Sequence, residues 1–372
     1  MHLIFKPKDF YENDQRVVLT LDAGGTNLVF SAMQGASEII EPFSLPCNPD
    51  DLSAILTSIE EGFREAASRV DQEIFAISFA FPGPANYKRG IIGDLPNLRA
   101  FRGGVALGPF LERKFHLPVY INNDANLFVL GEYIFGFLPG VNLLLEERGT
   151  DKVYQNLTGV TLGSGFGCGL MINGQLNVGD NSNGGELWLT RNKLLPKLCV
   201  DASVGQEKIR RFYAEYGSTG LKDVPNSEGV FRIAMGEAEG DQAAAIKAFN
   251  TVGEIIGDAL ANTSVLVDGL IVIGGGLSGA HKLLMPVIMK ELNSSIFHLD
   301  DVAHPRIGQK AFYLDQDDDK QTFLNGDPQP IAIPFSEESI SYDALPRIGV
   351  GISQLGASRA TALGAYVFAL SQ

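Results

Sequence analysis

The sequence has few cysteines, one tryptophan and fewer basic than acidic residues. Its 372 residues include 3 cysteines, and 29 Lys and Arg against 44 Asp and Glu give a formal net charge of -15. The cysteines Cys47, Cys168 and Cys199 are scattered, odd in number and without metal-ligand spacing. This usage argues against a disulfide framework or a zinc cluster and fits buried thiols in a reducing compartment, so we expect a cytoplasmic protein.

Two further absences exclude partners and targeting. An acidic surface repels nucleic acid and anionic membranes, so neither is an expected partner, although a local positive site for an anionic cofactor is compatible with it. No run approaches the roughly 18 apolar residues of a membrane span. The amino terminus, MHLIFKPKDFYENDQ, mixes charges among its apolar residues and does not read as a secretory signal.

The length predicts two or three domains, and the order of elements predicts an α/β layered fold. Short strands rich in β-branched and aromatic residues are predicted at residues 17–22, 74–80 and 119–124, with an amphipathic helix beginning at Asp51 before the second of these. The segment LTGVTL at residues 157–162 starts the same pattern again, because it runs into a glycine turn and a second strand. The sequence therefore predicts two similar lobes.

Three glycine-rich turns, LDAGGTN, TLGSGFGCG and VIGGGLSG, each follow a predicted strand. Glycine lets backbone amides approach a phosphate or a flat nucleotide ring, whereas an ordinary tight turn is the alternative for any one of them. The run GGGLSG at residues 274–279 has GxGxxG spacing, but neither it nor GSGFGCG is interpreted as the dinucleotide fingerprint, which also requires a helix opened by the glycines and an acidic residue at the end of the next strand. The pattern GxxxxGK[ST] is absent, which excludes a P-loop. In LDAGGTN the carboxylate of Asp22 is suited to hold a cation or its waters.

A fourth motif, NNDAN, lies where a predicted strand meets a predicted helix and contains Asp124. Its Asn or Asp side chains could cap that helix. A carboxylate at the end of a strand in an α/β lobe also points toward the crevice where ligands bind. There it can accept the proton of an attacking hydroxyl, as phosphoryl transfer to an alcohol requires.

Taken in order, DxGGTN, PG with PNL, NDAN, LGSGxGxG, GGE and IGGG resemble the ROK family of sugar kinases, within the actin-like ATPase superfamily, from Val17 to Leu370. The resemblance implies two ribonuclease-H-like α/β lobes with a cleft for ATP and sugar, and a last helix that returns to the first lobe. The predicted lobes are residues 1–138 with 356–372, and residues 139–355, the latter with a surface excursion at about 309–336.

The resemblance also implies roles for single positions. Asp124 corresponds to the general base, and Asn123 beside it to a sugar-binding amide. Other sugar-pocket positions match Gly83, Asn97 and Glu186, and Asp201 aligns loosely with a second sugar-binding carboxylate. The positions matching the phosphate and adenosine turns are Asp22, Gly24, Gly25, Thr26 and Asn27 in the first, Gly163, Ser164, Gly165 and Gly167 in the second, and Gly274, Gly275 and Gly276 in the third, with Asp22 holding Mg²⁺ together with ATP.

The sequence departs from the family pattern at one motif. Kinases of the family usually carry GEIGH followed by a zinc-binding cysteine cluster, whereas this sequence reads GELWL, with Leu189 in place of the histidine and only Cys199 left of the cluster. We therefore expect no zinc site, and we expect the sugar contact of that histidine to be missing or replaced. Trp188 could stack on a sugar face or pack in the core.

The resulting hypothesis is an ATP-dependent sugar kinase that phosphorylates a hydroxyl, the 6-hydroxyl by resemblance, of a hexose or N-acetylhexosamine. The resemblance also implies a homodimer. Two alternatives stay open at this point. The family includes sugar-responsive transcriptional regulators, which carry an additional amino-terminal helix-turn-helix, whereas about sixteen residues precede the first predicted strand here. A sugar-binding protein that has lost catalysis is the second alternative, suggested by the missing histidine and cysteines.

Overall fold

A computed structural model describes the chain at residues 5–23, 27–48, 50–93 and 99–372. The chain forms two compact units. Unit 1 consists of Met1–Pro139, Gly169–Gly185 and Leu355–Gln372, and unit 2 consists of Gly140–Cys168 and Glu186–Gln354.

The elements alternate between strands and helices along most of the chain. The strands are β1 (Val17–Ala23), β2 (Asn27–Gln34), β3 (Ser37–Glu38), β4 (Phe43–Pro46), β5 (Ile74–Ala80), β6 (Ala85–Asn86), β7 (Ile91–Ile92), β8 (Val119–Asn122), β9 (Leu157–Leu162), β10 (Phe166–Ile172), β11 (Gln175–Leu176), β12 (Leu270–Gly274), β13 (Ser295–Phe297), β14 (Ala303–Pro305), β15 (Lys310–Tyr313), β16 (Pro328–Ala332), β17 (Ser339–Asp343) and β18 (Arg347–Ile352). The α-helices are α1 (Lys8–Glu12), α2 (Leu52–Ser68), α3 (Leu107–Phe115), α4 (Asp124–Ile134), α5 (Phe137–Glu147), α6 (Gln206–Tyr216), α7 (Ser227–Ala234), α8 (Gln242–Val267), α9 (His281–Leu292), α10 (Asp317–Asn325) and α11 (Ala357–Leu370).

The first sheet has the strand order β3-β2-β1-β5-β8, with β4 paired to β2. Strand β1 is buried from Val17 to Leu21, as expected for a strand covered on both faces. It pairs antiparallel with β2 and parallel with β5, and β5 pairs parallel with β8. The carboxyl ends of β1, β5 and β8 therefore share one edge, where the register aligns Asp22 with Ala80 and Ala80 with Asn122.

Helices cover both faces of this sheet. On one face an apolar core joins Leu19 of β1 to Ile59 and Phe63 of α2. On the other face α4 and α11 pack closely because each contributes a glycine. A Cβ added at Gly131 would lie 2.0 Å from a backbone oxygen of α11, and one at Gly364 would lie 1.8 Å from a backbone oxygen of α4. The carboxyl-terminal helix thus supports the helix that begins at Asp124.

The second sheet has the strand order β11-β10-β9-β12-β18-β15. The pairs β9 with β12, β12 with β18 and β18 with β15 are parallel. The order β11-β10-β9-β12-β18 repeats the order β3-β2-β1-β5-β8 of the first sheet, with the central strand first along the chain in both. This confirms the predicted α/β class and the predicted repetition of architecture.

Helix α8 is the long helix of unit 2 and packs against α9. The side chain of Asp241 caps its first turn by accepting a hydrogen bond from the Ala244 N–H. A Cβ at Gly257 would lie 2.6 Å from Cβ of Glu291, so glycine allows α9 to approach closely. The apolar residues of α8, from Ala244 to Val267, are largely buried, as expected for a helix in the core of unit 2.

The predicted surface excursion at about 309–336 is wrong for its first half. Strand β15 pairs with β18, and its residues Ala311 and Phe312 are each 2% exposed. Helix α10 then buries Phe323 and Leu324. The acidic cluster that suggested a surface loop forms the first turn of α10, where negative charge is favourable. The hairpin of β16 and β17 that follows is exposed.

One segment meets the length and composition of a membrane span, contrary to the expectation from the sequence. Residues Asp124–Glu147 contain a window of mean hydropathy 1.6, half of which is buried within the protein. The segment consists of two helices, α4 and α5, and Leu127 to Leu130 of α4 are buried. Apolar composition on all sides is the pattern of a core helix.

Candidate functional site

The edge formed by the ends of β1, β5 and β8 brings together predicted phosphate-side and sugar-side residues of unit 1. Asp22 is the second-last residue of β1, Gly83 follows β5 by three residues, and Asp124 follows β8 by two. A Cβ at Gly83 would lie 3.1 Å from the hydroxyl of Tyr87, which donates a hydrogen bond to the Phe81 carbonyl at 2.9 Å. The predicted residues Gly24, Gly25, Thr26 and Asn97 lie outside the described residues.

Three asparagines fix the NNDAN turn. The Asn122 side-chain oxygen accepts hydrogen bonds from the Asn123 N–H at 2.8 Å and from the Asn126 amide at 3.1 Å. The Asn123 side-chain oxygen caps α4 by accepting from the Ala125 N–H at 2.9 Å. Since Asn123 is the cap, Asp124 occupies the first helical position instead, and the capping alternative applies to its neighbour.

The carboxylate of Asp124 is accessible yet electrostatically perturbed. Asp124 is exposed to solvent. The protein atoms packed around it nevertheless remove water from the carboxylate, and this desolvation raises its pKa, as does the negative charge of Asp22, whereas backbone hydrogen bonds from Ala125 and Asp124 lower it. A reachable carboxylate with a raised pKa is a stronger base than an ordinary aspartate, which is the property required of a general base.

Asp22 has a different environment from Asp124. Desolvation raises its pKa, and a hydrogen bond with the Ser358 side chain, in the first turn of α11, lowers it. A cavity of about 540 Å³ in unit 1 lies beside it and is lined by Asp22, Thr20, Ser31, Ser358 and Arg359 among others. Glu38 is a second carboxylate in this lining. One or two carboxylates beside open space suit Mg²⁺, which usually keeps several waters and is bound together with substrate phosphates.

In unit 2, the second and third glycine turns meet at the ends of adjacent strands. Gly274 of β12 aligns with Thr161 of β9 in a parallel pair. Gly275 has φ +89°, and a Cβ there would lie 2.4 Å from the carbonyl oxygen of Leu162. Only glycine fits this backbone and this approach. The predicted adenosine turn therefore lies directly against the predicted phosphate turn.

The second glycine turn is held from one side by helix α6 and its preceding residues. The Gln206 N–H donates to the Gly163 carbonyl at 3.1 Å, and the Lys208 ammonium donates to the Ser164 carbonyl at 3.3 Å. Asp201 accepts a hydrogen bond from the Phe166 N–H at 2.9 Å and lies 3.8 Å from Lys208. The carboxylate aligned with a sugar contact is thus engaged with the phosphate turn, and its predicted role toward sugar stays untested.

A cavity of about 550 Å³ lies beside these turns in unit 2. Its lining includes Gln206, Asn226, Phe231, Arg232, Gly276 and Gly279. A volume of this size accommodates a nucleoside. The sequence did not predict the contributions of α6 and α7, because Gln206, Asn226 and Arg232 belong to no glycine motif. The residue that could have indicated them is Gly205, which has φ +137° and lies against Ser164 of the second glycine turn.

Glu186 lies where the chain turns into a short 3-10 helix, Leu187–Leu189. The indole N–H of Trp188 donates a hydrogen bond to its carboxylate. Trp188 is 36% exposed, so of the two alternatives for this residue the structure does not support packing in the core. Across the part of the chain that the structure describes, no group of three or more His, Cys, Asp and Glu side chains is placed to hold a metal ion.

Comparison with known proteins agrees with this arrangement. The sequence model of the ROK family matches residues 18–314. The chain belongs to the ROK family. A crystal structure named as the glucokinase of Parabacteroides distasonis ATCC 8503 is 48% identical and covers 97% of this chain and 99% of its own, with a TM-score of 0.87.

Curated ROK relatives are more distant. A protein named glucokinase from Halalkalibacterium halodurans is 27% identical over 78% of this chain and 87% of its own length. A protein named N-acetyl-D-glucosamine kinase from Photobacterium profundum is 27% identical over 70% of this chain and 84% of its own length. Of the cysteine cluster usual in the family only Cys199 remains in this sequence. The position of the family's histidine is Leu189, which is 58% exposed.

Proposed function

We propose that this ROK protein is an ATP-dependent sugar kinase that transfers the γ-phosphoryl group to the 6-hydroxyl of a hexose or N-acetylhexosamine. The observation that carries the proposal is the row at the edge of the first sheet. There the register aligns Asp22 with Asn122, and the accessible carboxylate of Asp124, whose pKa is raised, follows two residues later. Family membership and the 48% identical glucokinase support the same reaction class.

In the proposed reaction Asp124 accepts the proton of the sugar hydroxyl as that oxygen attacks phosphorus. Asp124 is an exposed residue, and the Asn123 cap fixes the start of α4 that carries it. The Asn123 side chain uses its oxygen in the cap, which directs the amide nitrogen to a donor role toward sugar. General-base assistance of this kind contributes about 10²- to 10⁴-fold to the rate.

Asp22 is the residue we assign to Mg²⁺, directly or through water. Bound Mg²⁺ would neutralise negative charge on the β- and γ-phosphates as the transferring group departs. The backbone amides of the turn from Gly163 to Gly167, together with Lys208 beside Ser164, place further positive potential on the nucleotide side. The nucleoside is assigned to the 550 Å³ cavity that begins at Gly276.

The relatives define which sugars to test first. The 48% identical structure is named a glucokinase, and a more distant relative is named an N-acetyl-D-glucosamine kinase. Both sugars present hydroxyls that a carboxylate and an amide can bind. We therefore propose glucose as the first candidate and N-acetylhexosamines as the second. Cytoplasmic location remains a prediction from the cysteine usage, and a homodimer remains a prediction of the family resemblance.

The deciding experiment is ADP release with Mg-ATP across a panel of glucose, mannose, fructose, galactose and the N-acetylhexosamines, with the product located by phosphorus NMR. We expect one ADP per sugar phosphate and phosphorus on the 6-oxygen. 6-Deoxyglucose is the matched control, since it keeps the other hydroxyls but cannot be phosphorylated at C6. If a sugar binds saturably but none of the sugars causes ADP release from ATP, the protein is a non-catalytic sugar-binding protein instead.

A further inference from the structure

Trp188 is the single tryptophan of the chain, and it contacts a predicted sugar-binding carboxylate. Its indole N–H donates to an Oε atom of Glu186, two residues earlier. The position where the family resemblance places a histidine is Leu189, whose side chain is 58% exposed. The nitrogen donor beside Glu186 therefore comes from residue 188, one position before the expected one.

The turn that holds this pair is fixed by the backbone. The Leu189 N–H donates to the Glu186 carbonyl at 3.1 Å, and the Thr190 N–H donates to the Leu187 carbonyl at 3.1 Å. Leu187 is 8% exposed and anchors the turn in unit 2. The Val200 N–H also donates to the Thr190 carbonyl at 2.9 Å, which ties down the end of the turn. Trp188 thus approaches Glu186 from a fixed base.

The chemistry of the pair suits a site for hydroxyl groups. A carboxylate only accepts hydrogen bonds and has two oxygens, so one oxygen held by the indole leaves the other for a sugar hydroxyl. A hydrogen bond to an ionised group is stronger than one between neutral groups and restricts the carboxylate rotamer. The indole N–H does not titrate near neutral pH, whereas an imidazole in the same place would.

We propose that Trp188 is a positioning residue of the sugar site, orienting the Glu186 carboxylate toward a sugar hydroxyl in place of the histidine that this chain lacks. The proposal rests on the proposed sugar kinase function and names the residue that sets sugar affinity within it. Part of the ring is exposed, so a sugar bound beside it would change its fluorescence.

The kinetic test compares Trp188→Phe, which keeps an aromatic ring and removes the N–H, with the control Leu189→Ala. We expect Trp188→Phe to raise the KM for sugar about tenfold, the loss of one charged hydrogen bond, with kcat changed less than about threefold and the KM for ATP unchanged. Leu189→Ala should leave all three constants within about twofold of wild type. Circular dichroism and melting temperature establish that each variant is folded.

A pH profile separates positioning from packing. Trp188→His restores a ring N–H donor whose charge changes near pH 6.5. We expect its KM for sugar to lie between those of wild type and Trp188→Phe, and to vary with pH through that range while the wild-type constant does not. A residue that merely filled space would show the same pH dependence in all three proteins.

Fluorescence provides the readout independent of turnover. Because Trp188 is the only tryptophan, titrating the wild-type protein with sugar in the absence of ATP should change its emission, with a Kd equal to that from calorimetry. Replacing Glu186 with Gln should shift the emission of the ligand-free protein. The proposal is overturned if sugar binds by calorimetry while the emission stays constant and Trp188→Phe keeps its KM within twofold of wild type.

Failure of the proposed function gives a different result. If neither glucose nor any other sugar of the panel binds or releases ADP, the sugar kinase assignment fails and this inference fails with it. Sugar phosphorylation with an unchanged Trp188→Phe variant leaves the kinase assignment standing and rejects the inference alone.

Discussion

Asp22 and Asp124 lie at the carboxyl ends of two parallel-running strands of one sheet, close enough that the charge of Asp22 adds to the desolvation that raises the pKa of Asp124. Two carboxylates that share an edge resist simultaneous ionisation. A cation at Asp22 would remove much of that repulsion. In the proposed function, Asp22 is the carboxylate that holds a cation and Asp124 the one that accepts a proton, the division that phosphoryl transfer to an alcohol requires.

Asp124→Asn tests the proton-accepting role. The amide keeps the shape of the side chain but cannot accept the hydroxyl proton, so we expect kcat to fall by about 10²- to 10⁴-fold. The KM for sugar should change little, since Asp124 accepts the proton only in the transition state and the variant loses only that interaction. Steady-state ADP release at saturating sugar and ATP measures both constants.

The matched control is Glu61→Gln, which removes an exposed carboxylate on α2. It should leave kcat unchanged within about twofold. If Asp124→Asn retains more than about a tenth of the wild-type kcat, Asp124 is not the general base.

The same variant should alter how stability depends on pH. Desolvation first, and also Asp22, raise the folded-state pKa of Asp124, so the folded state holds this proton more tightly than the unfolded chain does. Its stabilising contribution is complete below the unfolded pKa and is lost as pH rises through the folded pKa. Relative to wild type, Asp124→Asn should therefore melt at increasingly higher temperature as the pH rises from about 4, the unfolded pKa, through the raised folded-state pKa.

Differential scanning fluorimetry in matched buffers measures this difference, with Glu61→Gln as reference. A constant gap between the melting temperatures of Asp124→Asn and wild type across that range would show that the pKa of Asp124 is the same in folded and unfolded chains.

The sequence predicted the structure best where a short local pattern determines one element. Residues 17–22 and 74–80 were predicted as strands because their apolar and β-branched side chains form continuous runs, and the structure has β1 and β5 there. The glycines at 274–276 were predicted to form a ligand turn, and Gly275 does have a backbone that only glycine adopts readily, although its ligand is untested. Local patterns of this kind depend on few neighbours.

Features that depend on distant residues were not predicted. Strand β15 is only four residues long and precedes an acidic cluster, so its sequence did not predict a buried strand. Its burial depends on pairing with β18, which lies far along the chain. The cavity beside Gly276 needs side chains from α6 and α7, such as Arg232, whose sequence carries no nucleotide signal. The contact of Trp188 with Glu186 could not be predicted, because it depends on how the chain turns between these two residues.

Gly279→Leu tests the nucleotide cavity of unit 2. Gly279 lines this cavity, and a Cβ added there meets open space, so a leucine side chain would extend into the volume assigned to the nucleoside. We expect the Kd for ATP to weaken by about tenfold or more, because a ligand cannot share space with the leucine. Binding of sugar alone should stay within about twofold of wild type. Calorimetry with each ligand measures both.

Gly308→Leu is the matched control, since a Cβ there also meets open space but the residue does not line the cavity. It should leave both affinities unchanged. If Gly279→Leu binds ATP as tightly as wild type does, the nucleoside lies elsewhere in the protein.

Gly364→Ala tests whether the carboxyl-terminal helix supports the catalytic turn. A methyl group at this position would lie 1.8 Å from the Leu127 carbonyl oxygen of α4, so α4 and α11 must separate to admit it. Overpacking of this kind typically costs about 1–3 kcal/mol, and separation of the helices would also displace the start of α4 at Asp124. We expect a lower melting temperature and a lower kcat, measured by thermal denaturation and by ADP release.

Gly140→Ala is the control, because Gly140 lies in helix α5 with open space around its Cβ, and alanine there should preserve or raise stability. A Gly364→Ala protein that melts at or above the wild-type temperature with full activity would show that α4 holds Asp124 in place without the close approach of α11.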